Sequence, residues 1–197
     1  QIKTLADRHH TTIGIGWVKK TEPLCENHYS IVTPDGGVAM DFAKIHPFSY
    51  GEEHEHFQGG TTLCTGTLGE FRAGLGICYD LRFPEQFRAM VPKTEFFIVP
   101  ANWPESRVSH WKALLAARAI ENQCYVVGVN CCGDMDGQYY SGDSGLYAPD
   151  GSLLVPTKEI RLTDALCKEE KLLVYDIQND VAKIRKAFPV LQDRKEI

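Results

Sequence analysis

Three stretches of this chain hold residue types able to do nucleophilic or electrostatic chemistry. The first is GLGICYDLRFPE, residues 74–85, where an apolar run enters Cys78 and Tyr79, Asp80 and Arg82 follow at once. A thiol at a strand-to-helix corner projects into a pocket, and a nearby cation or helix N-terminal amides would raise its thiolate fraction. The competing reading is a structural cysteine, since most free cysteines are small buried hydrophobes. Asp80 and Arg82 could form a buried pair that braces the corner. The second stretch is MDFAKIHPF, with Lys44 among apolar residues. A lysine at a strand end usually points into solvent; a buried one could polarise a carbonyl or donate to an oxyanion. The third is GEEHEHF, with Glu52, Glu53, His54, Glu55 and His56. His-x-His flanked by acids can ligate a metal, but such a run is more simply a solvated loop, and no metal or cofactor is expected.

These groups need elements to position them. TTIGIGWVKK reads as a strand, and HYSIVTPDGGVAMDFAKIHPF as two strands around a turn at Pro34–Gly37. TLCTGTLGEFRAGLGICYD holds a further hairpin turning near Gly69–Glu70. FPEQFRAMVP looks helical, with Pro84 early and Pro92 after its end. EFFIVPAN is a short apolar strand. SRVSHWKALLAARAIENQ is the strongest helix, its Val108, Trp111, Leu114, Leu115 and Ile120 recurring at three-to-four spacing. That helix carries His110 near its start, and Arg118 and Glu121 at ion-pair spacing near its end. CYVVGVNCCG is apolar enough to predict a strand buried on both faces. SGLYAPDGSLLVPT reads as a hairpin turning at Pro149–Gly151 and KLLVYDIQ as a strand. NDVAKIRKAF reads as a short helix capped by Asn179 or Asp180. DRHH, at the start, reads as the close of a helix.

Two helices between apolar strands, in a chain otherwise richer in strands, predict an α/β or α+β layered domain. The 197 residues suffice for one domain, and with no repeat or low-complexity linker all of 1–197 is assigned to it. Hydrophobic residues make up 43% and charged residues 24%, as in ordinary globular proteins. A net charge of −5 without a basic block argues against a nucleic-acid binder. No apolar run is long enough to span a bilayer, so no membrane partner is expected. The seven cysteines, Cys25, Cys64, Cys78, Cys124, Cys131, Cys132 and Cys167, form no CxxC pair and are odd in number. They suggest a reducing, cytoplasmic setting. The chain opens on Gln1, with no targeting signal, and reads as a fragment or a trimmed chain.

Taken together, GLGICYDLRFPE, the upstream AKIHPF and the downstream HWKALLAARAIENQCYVVGVN resemble the nitrilase, or carbon–nitrogen hydrolase, superfamily. The likeness extends over GDSGLYAPDG and RKAFPVLQDR, and ANWPESRVSHW is most similar to the ω-amidase branch. The resemblance implies an αββα sandwich and a Glu-Lys-Cys triad with Cys78 as nucleophile and Lys44 as its electrostatic partner. It implies hydrolysis of an amide, with loss of ammonia, through an acyl-thioester. In the ω-amidase branch the substrates are small dicarboxylic acid monoamides. Lys44 and the Tyr79 N–H would hold the oxyanion. Glu52, with Glu53 adjacent, would be the loop glutamate that positions substrate, and Arg82, with Arg107 also available, would pair with a substrate carboxylate. The triad glutamate belongs to an early strand, whereas Gln1–His10 offers only Asp7, so the first strands and helix of the domain are expected to be missing. A catalytically silent interaction module on the same fold is the alternative. By resemblance a homodimer is the expected assembly.

Overall fold

The structure, a computed structural model, describes residues 1–91, 93–161 and 170–195. Pro92 and Cys167, named above, lie outside the described residues. In chain order the first elements are α1 (Ile2–Arg8), β1 (Ile13–Lys19), β2 (Glu26–Val32), β3 (Val38–Ala43), β4 (Thr65–Leu68) and β5 (Phe71–Leu75). Next come α2 (Pro84–Met90), β6 (Phe96–Ala101), α3 (Val108–Asn122), β7 (Tyr125–Asn130), β8 (Cys132–Met135) and β9 (Gln138–Ser141). The last are β10 (Gly145–Tyr147), β11 (Lys158–Arg161), β12 (Lys171–Val174) and α4 (Val181–Ala187).

Period-two alternation builds the first sheet, β1-β2-β3, which is antiparallel throughout. Tyr29 and Ile31 of β2 and Met40 and Phe42 of β3 share one buried face. The turn between those strands falls at the expected Pro34–Gly37. There Asp35 accepts from the Gly37 N–H at 3.1 Å and Gly36 takes φ +73°. The second sheet has the order β10-β7-β6-β5-β4, its three central strands parallel and its two edge strands antiparallel. Parallel neighbours need crossover helices, and α2 and α3 supply them. Ala73, Leu75 and Ile98 of this sheet close on Tyr29, Ile31, Met40 and Phe42 of the first. Its other face carries Phe97, Val99 and Val126 against Phe87, Trp111, Leu115 and Ala119 of the two helices. With α1 against β2, the layers run helix, sheet, sheet, helix, the αββα sandwich expected. Gly128 allows the closest approach of α3 to β7: a Cβ there would lie 2.5 Å from both Leu115 Cδ1 and Trp111 Cζ2.

Several elements differ from the sequence reading. β7 is not buried on both faces, because Val129 opens onto a cleft shared with Ser144 and Leu173. β8 and β9 form an unforeseen hairpin. Asp136 (φ +50°) and Gly137 (φ +75°) turn it, and two consecutive left-handed residues suit a tight hairpin loop. The hairpin expected at Pro149–Gly151 does turn there, with the Gly151 N–H on Ala148 O at 2.8 Å, but its ladder is short, a bridge from Tyr147 to Leu153. β12 pairs with β11, a polar KEIR strand that no periodicity marks. Neither proposed cap closes α4: Asp180 accepts from Tyr125 Oη at 2.9 Å, and Asn179 donates to Glu70 O at 2.9 Å. Ile120, expected on the packed face of α3, is 53% exposed.

One polar cluster on the first sheet makes a pH prediction. Glu26 meets His28 Nε2 at 3.0 Å, Lys19 Nζ at 3.0 Å and Gln58 Nε2 at 3.1 Å. These bonds, His28 first, hold its carboxyl down to about 2. A carboxyl lowered by folding contributes stability above its unfolded pKa and loses it as pH falls toward the folded value. Acid unfolding followed by circular dichroism should therefore steepen between pH 4.5 and about 2. Glu26→Gln should flatten that window, and an unchanged profile would show that the cluster stores no pH-dependent stability.

Candidate active site

After β5 the chain passes Gly76 and Ile77 and tightens into a 3₁₀ turn, Cys78–Arg82, before Pro84 opens α2. The corner expected at Cys78 is therefore a turn of its own, and Cys78 adopts φ +48°. A non-glycine residue in that region is uncommon, and strain of this kind often marks a functional position. Its Sγ faces Asn102 O at 3.8 Å. Burial pushes the Cys78 thiol up; the Lys44 ammonium and a backbone hydrogen bond at Asn102 act against that rise. Burial likewise raises Cys64 and Cys124, and lifts Cys131 to about 11.

Lys44 is not a surface lysine. It leaves the end of β3 with its N–H on Asn27 O at 2.8 Å, and the residue is 4% exposed. Its ammonium pairs with Glu53. The Glu53 carboxylate also accepts from the Phe48 N–H at 2.7 Å and from Asn27 Nδ2 at 3.2 Å. Burial works to raise this carboxyl, but Lys44 and the two other donors outweigh it and hold Glu53 below the usual carboxylate range. Lys44, Glu53, Cys78, Asn27, Tyr29 and Asn102 line one cavity of about 360 Å³.

Glu52, the first choice for the loop carboxylate, is not there. It is exposed and sits at φ +59° between the short turns Ser49–Gly51 and Glu53–Glu55. That pivot sends its neighbour Glu53 inward. His54, Glu55 and His56 are exposed as well. Among the described residues no group of three or more His, Cys, Asp or Glu side chains is placed to hold a metal ion.

A smaller recess of about 40 Å³ adjoins Cys78, walled by Phe48, Tyr79, Arg82, Trp103 and Arg107. Arg82 does not pair with Asp80. Its guanidinium lies 4.7 Å over the Trp103 ring and 3.3 Å from His110 Nδ1, while Arg107 lies 5.8 Å over Phe48. Arg118 makes the expected pair with Glu121 at 3.0 Å and also donates to Leu81 O at 2.7 Å, bracing the Cys78 turn. Tyr79 packs between Phe48, tilted at 59°, and Phe83, edge-on at 81°. As the second residue of the turn it lies at the turn's N-terminal end, where N–H groups lack an intrahelical acceptor.

Sequence reasoning missed Asn27, Phe48 and Asn130. Asn130 exchanges two hydrogen bonds with the Trp103 backbone, 2.7 and 2.9 Å, and so holds the Asn102–Trp103 segment facing the thiol. An amide ending the apolar run VVGVN was the available signal.

The Carbon-nitrogen hydrolase family model matches residues 1–186. The chain is 31% identical to a 2-oxoglutaramate amidase of Bacillus subtilis, over all of the chain and 74% of that relative. It is 36% identical to the omega-amidase YafV of Escherichia coli K12, over 90% of the chain and 66% of that relative. The chain thus spans about two thirds to three quarters of these relatives' length. Among solved structures, XC1258 from Xanthomonas campestris, a CN-hydrolase superfamily protein, superposes with a TM-score of 0.84 at 31% identity. That likeness covers the whole chain and 74% of XC1258. A family match over nearly the whole chain, on this sandwich and around this cysteine pocket, shows that the chain belongs to the carbon–nitrogen hydrolase family.

Proposed function

We propose that this chain carries the catalytic pocket of an ω-amidase, which cleaves the terminal amide of a small dicarboxylic acid monoamide through Cys78. The observation that carries the reading is the strained Cys78 in one cavity with buried Lys44 and its half-buried partner Glu53. The Cys78 thiolate attacks the amide carbonyl, and a C–S bond forms as the C=O pair moves onto oxygen. Lys44 and the Tyr79 N–H hold that oxyanion. The C–N bond then breaks, the nitrogen leaves as ammonia with the proton taken from the thiol, and an acyl-thioester remains. Water attacks the thioester, the acid departs and the thiol is restored. Splitting one hard step into two is the gain of covalent catalysis.

Glu53 is a poor proton acceptor, with three donors on its carboxylate and a lowered pKa. Its role in this reading is to hold the Lys44 ammonium in place. Among the described residues it is also the one carboxylate lining the cavity, which His28 lines as well, and the reaction needs a general base besides. The resemblance assigns that base to a glutamate on an early strand. The relatives named 2-oxoglutaramate amidase and omega-amidase support the substrate class. A small-molecule amide is the partner, and homodimer assembly and a cytoplasmic setting are part of the same proposal. No helix among the described residues is long and apolar enough to cross a membrane.

Arg82 and Arg107 give the reading its specificity test. Both cations border the thiol recess, and neither joins an ion pair among the described residues. Each is therefore available to a carboxylate. Ammonia release from succinamate should exceed that from butyramide, which is neutral. Arg82→Met and Arg107→Met should each raise KM for succinamate about tenfold, about 1.4 kcal/mol, and leave butyramide unchanged. Equal losses on both substrates would remove the arginines from specificity. Absence of ammonia from every amide under conditions where the protein is folded would favour the silent-module alternative.

A further inference from the structure

Asp80 is wholly buried, two residues beyond Cys78. Burying a carboxylate is costly unless its oxygens are well supplied with donors. Here they are supplied from two separate segments. Oδ2 accepts the Ile77 N–H at 2.9 Å, immediately before the nucleophile. Oδ1 accepts both the His46 N–H at 3.0 Å and His46 Nδ1 at 2.8 Å, two residues after Lys44. The His46 ring then stacks on Phe83, 3.7 Å between centroids and 9° between planes. Phe83 in turn donates its N–H to Asp80 O at 3.0 Å, so the stack closes on the turn that carries Asp80.

Closing the turn would need only the bond to Ile77. The two bonds to His46 reach 34 residues back along the chain to the strand end that carries Lys44. Short bonds from one buried carboxylate leave little freedom between the two segments. The electrostatics point against a role through charge: Asp80's own negative charge disfavours the Cys78 thiolate, as does Glu53's, whereas Lys44 favours it.

We propose that Asp80 is a positioning residue, a clasp that ties the Cys78 turn to the Lys44 strand end and so sets the separation of thiol and ammonium. The proposal rests on the reading of Cys78 and Lys44 given above. It makes a prediction opposite in sign to that of a bystander charge. Asp80→Asn removes the negative charge, so charge alone would move Cys78 ionisation to lower pH. If the clasp holds Lys44 in place, the same variant moves it to higher pH. Asparagine keeps one acceptor oxygen where the carboxylate has two, so the Ile77 N–H and the His46 donors can no longer both be satisfied, and the clasp loosens.

The test is the pH dependence of Cys78 alkylation by iodoacetamide, read by mass spectrometry, in the wild type, Asp80→Asn, His46→Phe and Lys44→Met. Near-UV circular dichroism checks the fold of each. The expected result is a shift to higher pH in Asp80→Asn, in the direction of Lys44→Met. A smaller shift the same way is expected in His46→Phe, which keeps the ring stack and the Asp80 charge but loses the Nδ1 bond. On succinamate, kcat should fall tenfold or more in Asp80→Asn with KM changed less than threefold. A profile that stays put or moves to lower pH in Asp80→Asn, while Lys44→Met moves it up, would overturn the clasp and leave the Lys44 assignment standing. An unmoved profile in Lys44→Met would overturn both. If Asp80→Asn fails to fold, His46→Phe decides by the same criterion.

Discussion

Cys78→Ala should release no measurable ammonia from succinamate, a loss of roughly 10⁴-fold or more, as expected when a covalent nucleophile is removed. Cys64→Ala and Cys131→Ala should keep most of the activity. The contrast follows from where each thiol sits. Burial raises all three, but Cys78 shares its cavity with a buried ammonium and occupies a strained turn beside an open recess. Alanine bears the same backbone strain at φ +48° as cysteine does, so the variant should fold and melt close to the wild type. Ammonia release persisting in Cys78→Ala and vanishing in Cys131→Ala would move the nucleophile to the strand end at residue 131.

The second large effect is expected at Lys44. Lys44→Met keeps the length and apolar stem of the side chain and removes the charge. Acylation should slow about 10²–10³-fold, the usual cost of losing one oxyanion donor. Stability should fall too, because Glu53, 17% exposed on its side chain, is left with only Phe48 and Asn27 as donors. Breaking a fully buried pair typically costs 3–5 kcal/mol; the partial exposure of Glu53 brings the expectation to about 1–3 kcal/mol. The double variant Lys44→Met/Glu53→Gln removes the stranded charge. It should recover most of the stability and none of the rate. Full activity in Lys44→Met would remove this lysine from the oxyanion site and leave it as a structural partner of Glu53 alone.

The parts legible in the sequence were those whose physics is local. The β2–β3 turn was carried by Pro34-Asp35-Gly36-Gly37, the α3 face by Trp111 and Leu115, and the candidate nucleophile and cation by the motifs around Cys78 and Lys44. The β8–β9 hairpin was also local, since Asp136-Gly137 is a strong turn signal, and it was overlooked. Other features depend on contacts that spacing does not encode. Glu52 and Glu53 are adjacent and chemically alike; only the left-handed pivot at Glu52 decides which of them meets Lys44. Asp80 was paired by proximity with Arg82, whereas the fold gives it His46. Asn179 or Asp180 was expected to cap α4, and they instead serve Glu70 and Tyr125. In each case a tertiary partner outcompeted the local one.

The central claim is a covalent bond between Cys78 and the acyl group of an amide. The most direct measurement is rapid acid quench of the protein turning over succinamate, followed by intact mass and peptide mapping. The expected result is a mass increase equal to the product acid less one water, confined to the peptide containing residues 74–82. It should discharge with hydroxylamine, as a thioester does, and be absent in Cys78→Ala. An adduct on another cysteine would contradict the account, as would sustained ammonia release in Cys78→Ala.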